Sequence, residues 1–384
     1  MNLPYQPGFL GLTPGHIILI IAGLVFIYLA IVKKWESYEL LPIGVGMILA
    51  NLPYTGLLVE PSPELGPAQA GLLGILRYYG IFQFTILPQL IFLGLGAMTD
   101  FGPLLADRKG FFLGAAAQVG IIIAFFGALA LGLWGVADFG LREAAAIAII
   151  GGADGPTTIY ITAQLAPELL GITAVAAYSY MAMVAVIQPP IIKLLTTKQE
   201  REIYMKPQLR EVSKVERIMF PILLLVVVSL IVPGVAPLVG MFAFGNLLRE
   251  SKVVDRLSHT AQTAFIDVLT ILLMLSIGAS LPAETVMQPE TLMVLGLGLV
   301  AFATATAGGV LLGKVISRIS KDPFNPMLGA SGVSAVPMAA RVVHHEGVHA
   351  NPGNFLLMHA MGPNVAGVIG SAIVAGVFLE MVLR

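Results

Sequence analysis

Apolar runs about twenty residues long recur through this chain, each long enough as a helix to cross a hydrocarbon core of ~30 Å. We read twelve such elements. The first half holds 14–33, 38–58, 80–99, 110–134, 142–163 and 168–193; the second holds 217–233, 235–249, 258–281, 290–314, 325–343 and 354–382. Backbone groups in lipid must be satisfied within the segment, which favours helices. Only 11% of residues are charged, against about 25% in soluble domains. The expected fold is therefore an all-α polytopic membrane protein, one membrane domain over 1–384. A net charge of −1 gives no basis for nucleic-acid binding. The absence of cysteine excludes disulfides and thiolate metal sites. The first run ends on Lys33-Lys34 rather than on a small-residue cleavage site, so we read it as a retained element.

Two elements differ from the rest. The fifth carries Gly151-Gly152-Ala153-Asp154-Gly155-Pro156-Thr157 in mid-run; the eleventh carries Gly329-Ala330-Ser331-Gly332-Val333-Ser334-Ala335-Val336-Pro337. Glycine weakens a helix, and proline removes a donor and crowds the preceding turn. Unwound backbone at membrane depth survives only where protein buries it or it lines a wet cavity. An acid there costs about 2.5–3.5 kcal/mol on insertion scales. Asp154 beside freed carbonyls is what a small hard cation needs.

Charge tests the topology. If both special elements are re-entrant, ten spans remain. With the polar linker 194–216 in the cytoplasm, 18 of the 21 Lys+Arg fall inside. Only Arg77, Arg142 and Arg384 fall outside, as the positive-inside rule demands. Both termini then lie outside. Each half has five transmembrane helices plus one broken or re-entrant element. Five is odd, so 14–193 and 217–382 form two inverted repeats. Echoes support this: Leu95-Gly96-Ala97-Met98-Thr99 with Ile277-Gly278-Ala279-Ser280-Leu281, Asp154 with Ser334, and Gln188-Pro189 with Pro363-Asn364. Paired broken helices in inverted repeats are characteristic of alternating-access transporters.

Several side chains are candidates for chemistry. Asp154 is either a cation ligand exchanging sodium for a proton or a protonated acid bonded to a carbonyl. Asn364 offers a neutral amide oxygen, or an interhelical hydrogen bond. Ser334 offers a hydroxyl, or a bond to its own backbone. Asn325 and Arg341 bracket the second break. Arg341 is either a positive-inside anchor or a forked anion binder. Tyr180 lies mid-span as a core hydrogen bond or a proton donor, and Asp267 is a second acid within a span. On these grounds alone a secondary sodium:organic-anion symporter stands beside any ion pump. His344, His345 and His349 are spaced too irregularly to argue for zinc.

Thr99-Asp100-Phe101-Gly102-Pro103-Leu104-Leu105, the Asp154 motif, and Gly362-Pro363-Asn364-Val365-Ala366-Gly367 resemble the β subunit of the sodium-pumping, biotin-dependent decarboxylases. That family serves oxaloacetate, methylmalonyl-CoA and glutaconyl-CoA decarboxylases. The resemblance implies a bacterial or archaeal membrane subunit that decarboxylates carboxybiotin, consumes a proton and exports Na⁺. It implies partners: a carboxyltransferase α subunit, a biotin carrier protein, a small membrane γ or δ subunit and membrane lipid, and it leaves room for a homo-oligomer. It implies roles as well: Asp154, Ser334, Asn364 and Gly329 around sodium, Asp154 and Tyr180 in proton transfer, and Arg341 with Asn325 toward carboxybiotin.

Overall fold

The computed structural model describes residues 7–62, 69–206, 210–283 and 288–383, and every regular element among them is helical. Arg384 lies outside the described residues. Helix α1 (Pro14–Ile31) begins where the Thr13 hydroxyl accepts from the His16 N–H and Pro14 occupies the first turn, where its missing donor costs nothing. A turn through Lys33 and Glu36 returns the chain as α2 (Ser37–Ala50). Next come α3 (Leu72–Gln83) and α4 (Ile86–Met98), then α5 (Lys109–Leu133). The first break separates α6 (Leu141–Ala148) from α7 (Gly155–Leu165). Helices α8 (Leu170–Ala182) and α9 (Val184–Leu195) end the first half.

The second half runs α10 (Lys214–Ile231), α11 (Ala236–Ser251), α12 (Asp255–Gly278) and α13 (Pro289–Ile319). The second break leads into α14 (Met338–Ala350), and α15 (Leu357–Leu383) closes the chain. Among the described residues, α1, α5, α12, α13 and α15 are each long and apolar enough to cross a membrane, and two bent pairs bring the number to seven. The chain is a multi-pass membrane protein.

The bent pairs correct the reading of 80–99 and 168–193 as plain spans. Helices α3 and α4 meet at 74°, and α8 and α9 at 65°. Thr85 takes a left-handed φ of 48° between the first pair. Pro88, with no N–H to donate, is accommodated in the first turn of α4, so that helix restarts at Ile86. Pro189 and Pro190 likewise remove donors from α9 just after its bend. The expected spans at 38–58, 217–233 and 235–249 appear as helices of 14, 18 and 16 residues. Lys214, Glu216 and Arg217 make the first turn of α10 polar.

Small residues let backbones touch. A Cβ on Gly96 would lie 1.9 Å from Phe242 O, and one on Gly245 1.9 Å from Leu93 O, so α4 and α11 lie in backbone contact. The pattern recurs between α12 and α2, where Gly278 faces Ile43 O at 2.1 Å and Gly46 faces Leu275 O at 2.3 Å. At the ends of α4 and α12, the Thr99 and Leu281 carbonyls accept amide N–H groups from Asn246 and Asn51, at 2.8 and 3.0 Å. Beyond α4, Asp100 pairs with Arg217 at 3.2 Å and Arg249 at 3.8 Å, and both arginines reach Glu250.

Helix α13 orders the two breaks. Tyr180, Gln188 and Leu195 meet Leu295, Thr306 and Lys314 in sequence, so α8 and α9 run alongside α13 in the same direction. Gly120 packs by Ala301 and Gly127 by Leu297, so α5 runs the opposite way. Both flanks of the first break, after α5 and before α8, therefore lie toward the Pro289 end of α13. At the other end, Asn325 donates to the carbonyls of Arg201 and Ile203, at 2.9 and 3.0 Å. Asn354 donates to the same Ile203 carbonyl at 2.8 Å. The second broken element thus enters and leaves at one end of the molecule, and the first does so at the opposite end.

Candidate cation site

The first break follows from its sequence. Residues Ile149–Gly152 tighten into a 3-10 turn, and Ala153 turns left-handed at φ 52°. Asp154 then caps α7 with extended backbone. Gly151 is required by proximity, because a Cβ there would meet the Gly120 backbone at 2.7 Å. The Asp154 carboxylate accepts from the Thr157 N–H at 3.3 Å and from the Thr157 hydroxyl at 2.7 Å. The Ser371 hydroxyl of α15 lies 2.8 Å from Asp154 Oδ2 and 3.0 Å from Val368 O. Asp154 is 4% exposed. These donors fix the orientation of both carboxyl oxygens at the break.

The second break is built by amides. Asn325 Oδ1 accepts from the Met327 N–H at 3.0 Å and opens a 3-10 turn, Pro326–Gly332. Asn364 Nδ2 donates to the carbonyls of Ser331 and Val333, at 3.0 and 2.7 Å. Gln188 Nε2 donates to Ala330 O at 2.9 Å. These bonds satisfy carbonyls that an unbroken helix would have paired within itself. Asn364 Oδ1 and Gln188 Oε1 are left buried with no hydrogen-bond partner among the described residues. Such hard neutral oxygens suit a sodium ion.

The two breaks meet. The Ser334 N–H donates to Gly152 O at 3.2 Å, and the Ser334 hydroxyl lies 3.5 Å from that of Ser371. Asp154 and Ser334 line one cavity of about 130 Å³. Asn364 is held one step away, on the backbone that carries Ser334. Gly329 packs against Gly309 of α13, where a Cβ would sit 1.9 Å from the Gly309 carbonyl. Tyr180 donates to the Leu295 carbonyl. Arg341 is exposed in the first turn of α14 and makes no ion pair among the described residues. Asn325 opens the second break and bonds the Arg201 and Ile203 carbonyls of the linker. Asp267 is exposed on α12.

Sequence reasoning missed Thr157, Ser371 and Tyr178. Thr157 was visible as the third residue after a helix-capping acid. Tyr178, not Tyr180, shares the cavity with Asp154, and its ring lies against Gly155. Both tyrosines stand in one apolar helix, so only packing decides which faces the acid.

A family model described as the Na⁺-transporting oxaloacetate decarboxylase beta subunit matches residues 15–382. The methylmalonyl-CoA decarboxylase subunit beta of Propionigenium modestum is 54% identical over 395 residues, covering 99% of this chain and 98% of the relative. The oxaloacetate decarboxylase beta chain of Klebsiella pneumoniae is 50% identical, covering 98% of this chain and 97% of that one. The glutaconyl-CoA decarboxylase subunit beta of Acidaminococcus fermentans is 51% identical, covering 98% and 95%.

Proposed function

Since this chain belongs to the Na⁺-transporting oxaloacetate decarboxylase beta-subunit family and is a membrane subunit of a decarboxylase sodium pump, we propose that Asp154, Ser334 and Asn364 hold the sodium ion that the pump moves. The observation that carries this reading is the meeting of the two breaks, where Ser334 N–H bonds Gly152 O beside a buried, ionisable Asp154. Near-half identity to decarboxylase subunits over the whole chain favours this reading over a sodium:organic-anion symporter.

The coupling follows from charge. Carboxybiotin, delivered on a biotin carrier protein loaded by a carboxyltransferase, loses its N-carboxylate. The N–C bond breaks, CO₂ leaves and the ureido nitrogen takes a proton. Arg341, exposed and without an ion pair among the described residues just after the second break, suits that carboxylate in forked geometry. Asn325 braces the break that carries Arg341 against the linker. Protonation of Asp154 lowers its hold on sodium and biases the conformational equilibrium toward release; Tyr180, bonded to the Leu295 carbonyl, stands outside the cavity of Asp154. The three relatives are named for three different acids, which fits a subunit that meets carboxybiotin and leaves the acid to a carboxyltransferase.

Two inverted repeats, with the linker cytoplasmic and both termini outside, supply the alternating access. The exchanged glycine contacts support this reading: Gly96 and Gly245 join α4 to α11 as Gly278 and Gly46 join α12 to α2. The opposite entry ends of the two breaks support it as well. The test is carboxybiotin-driven sodium uptake into inverted vesicles by the complex carrying Asp154→Asn. Uptake should fall to background; undiminished uptake would remove Asp154 from the mechanism.

A further inference from the structure

The cavity that holds Asp154 does not end there. It extends from Asp154 and Ser334, past Tyr178 and Thr99, to Glu36 and Glu39 at the turn between α1 and α2. Among the described residues, its lining carries three carboxyl groups and no Lys, Arg or His. Glu36 and Glu39 stand three residues apart, one helical turn, at the start of α2. Glu39 Oε2 is enclosed and has no hydrogen-bond partner among the described residues. Tyr178 is 3% exposed, and its hydroxyl has no hydrogen-bond partner among the described residues, although it faces the cavity between the acids and Asp154. A buried phenol ordinarily finds a partner. One left open beside an acid pair is available to a guest in the cavity.

Charge and position set the kind of guest. The Glu36 and Glu39 side chains are hydrogen-bonded to each other, so the pair shares a proton, and a cation held between them takes that proton's place and lets both ionise. A narrow apolar-walled cavity lined by one sign of charge concentrates counter-ions. The Glu36 turn follows Lys33 and Lys34, and Thr99 adjoins Asp100, which pairs with Arg217. The cavity therefore points toward the linker end of the molecule. Resting on the assignment of Asp154 to sodium, we propose that this cavity is the entry route of the transported cation, with Glu36 and Glu39 forming an outlying cation site and Tyr178 bridging from them to Asp154.

The test uses the assembled complex in vesicles, with sodium chloride as the only varied salt at fixed ionic strength. Glu36→Gln/Glu39→Gln should raise the sodium concentration for half-maximal uptake about five- to tenfold, while saturating turnover falls by less than about twofold. Asp154→Asn should lose uptake at every sodium concentration. An unchanged half-saturation in the double variant overturns the entry route and leaves the Asp154 assignment standing. Sodium-dependent uptake in Asp154→Asn sinks that assignment instead. A second measurement needs no turnover. The chain has no cysteine, so Thr99→Cys gives a single thiol in the cavity wall. A cationic methanethiosulfonate should modify it about tenfold faster than an anionic one, and Glu36→Gln/Glu39→Gln should erase that preference. Equal rates with both glutamates present overturn the proposal.

Discussion

Ser371 sets its hydroxyl 2.8 Å from Asp154 Oδ2, tying the last helix to the break late in the first half. The contact joins residues 217 positions apart, and it is one of three donors on that carboxylate. The hydroxyl bonds and orients the carboxyl that holds the ion, so Ser371→Ala should weaken sodium binding by roughly 1.5–3 kcal/mol, the range for hydrogen bonds to charged groups. That is about tenfold or more in affinity. The readout is the rise in Tm of the purified protein on titrating sodium. A titration matching that of the parent protein would show that the hydroxyl does not support the site.

Gly329 and Gly296 separate packing from helix propensity. A methyl at Gly329 would lie 1.9 Å from the Gly309 carbonyl, a backbone atom with nowhere to go. A methyl at Gly296, within α13, would meet nothing within 4 Å. Gly329→Ala should cost roughly 1–3 kcal/mol or more. Gly296→Ala should gain about 0.5–1 kcal/mol. Thermal unfolding in detergent checks both, and a neutral Gly329→Ala would contradict the close approach of the second break to α13.

The Asp100 cluster makes a cycle worth measuring. Glu250 is 7% exposed, with Arg249 at 3.5 Å and Arg217 at 3.8 Å. Arg249→Ala leaves that carboxylate short of a partner, and Glu250→Gln removes the charge that needs one. The double variant should be more stable than the sum of the singles predicts, by about 0.5–3 kcal/mol. Strict additivity would mean that the contact carries no energy.

Acid should loosen the linker junction through Glu216. Hydrogen bonds from Arg210, then the Ser213 N–H and hydroxyl, hold its carboxyl down to about 2, from 4.5. A depressed value means that the stabilisation is present above pH 4.5 and drains away as pH falls toward 2. The Tm gap between the parent protein and Glu216→Gln should be constant above that range, close within it, and shrink in high salt because the pair is exposed. A gap independent of pH down to 3 would refute the linkage.

The candidate site was legible in part. Asp154 announced itself because a carboxylate between Gly-Gly and Gly-Pro cannot continue an apolar helix. The second break declared itself through Gly329, Gly332 and Pro337 in the same way. The bends at Thr85 and Met183 did not: neither residue breaks a helix, and the prolines that matter stand three or more residues further along. Tyr180 and Tyr178 show the same limit. They share a helix and a composition, and the one beside Asp154 is chosen by where α8 meets α7.

The sequence by itself determined that this chain crosses a membrane as helices and where two of those helices must fail. Hydrocarbon thickness, backbone donors and the cost of a buried charge are local conditions, written in runs of about twenty residues. Only the tertiary structure decided that the two failures touch, that Ser371 completes the hold on Asp154, and that an acid-lined cavity leads from it to Glu36. Those facts depend on which glycines let which backbones approach, and contacts between residues hundreds of positions apart leave no local trace in the chain.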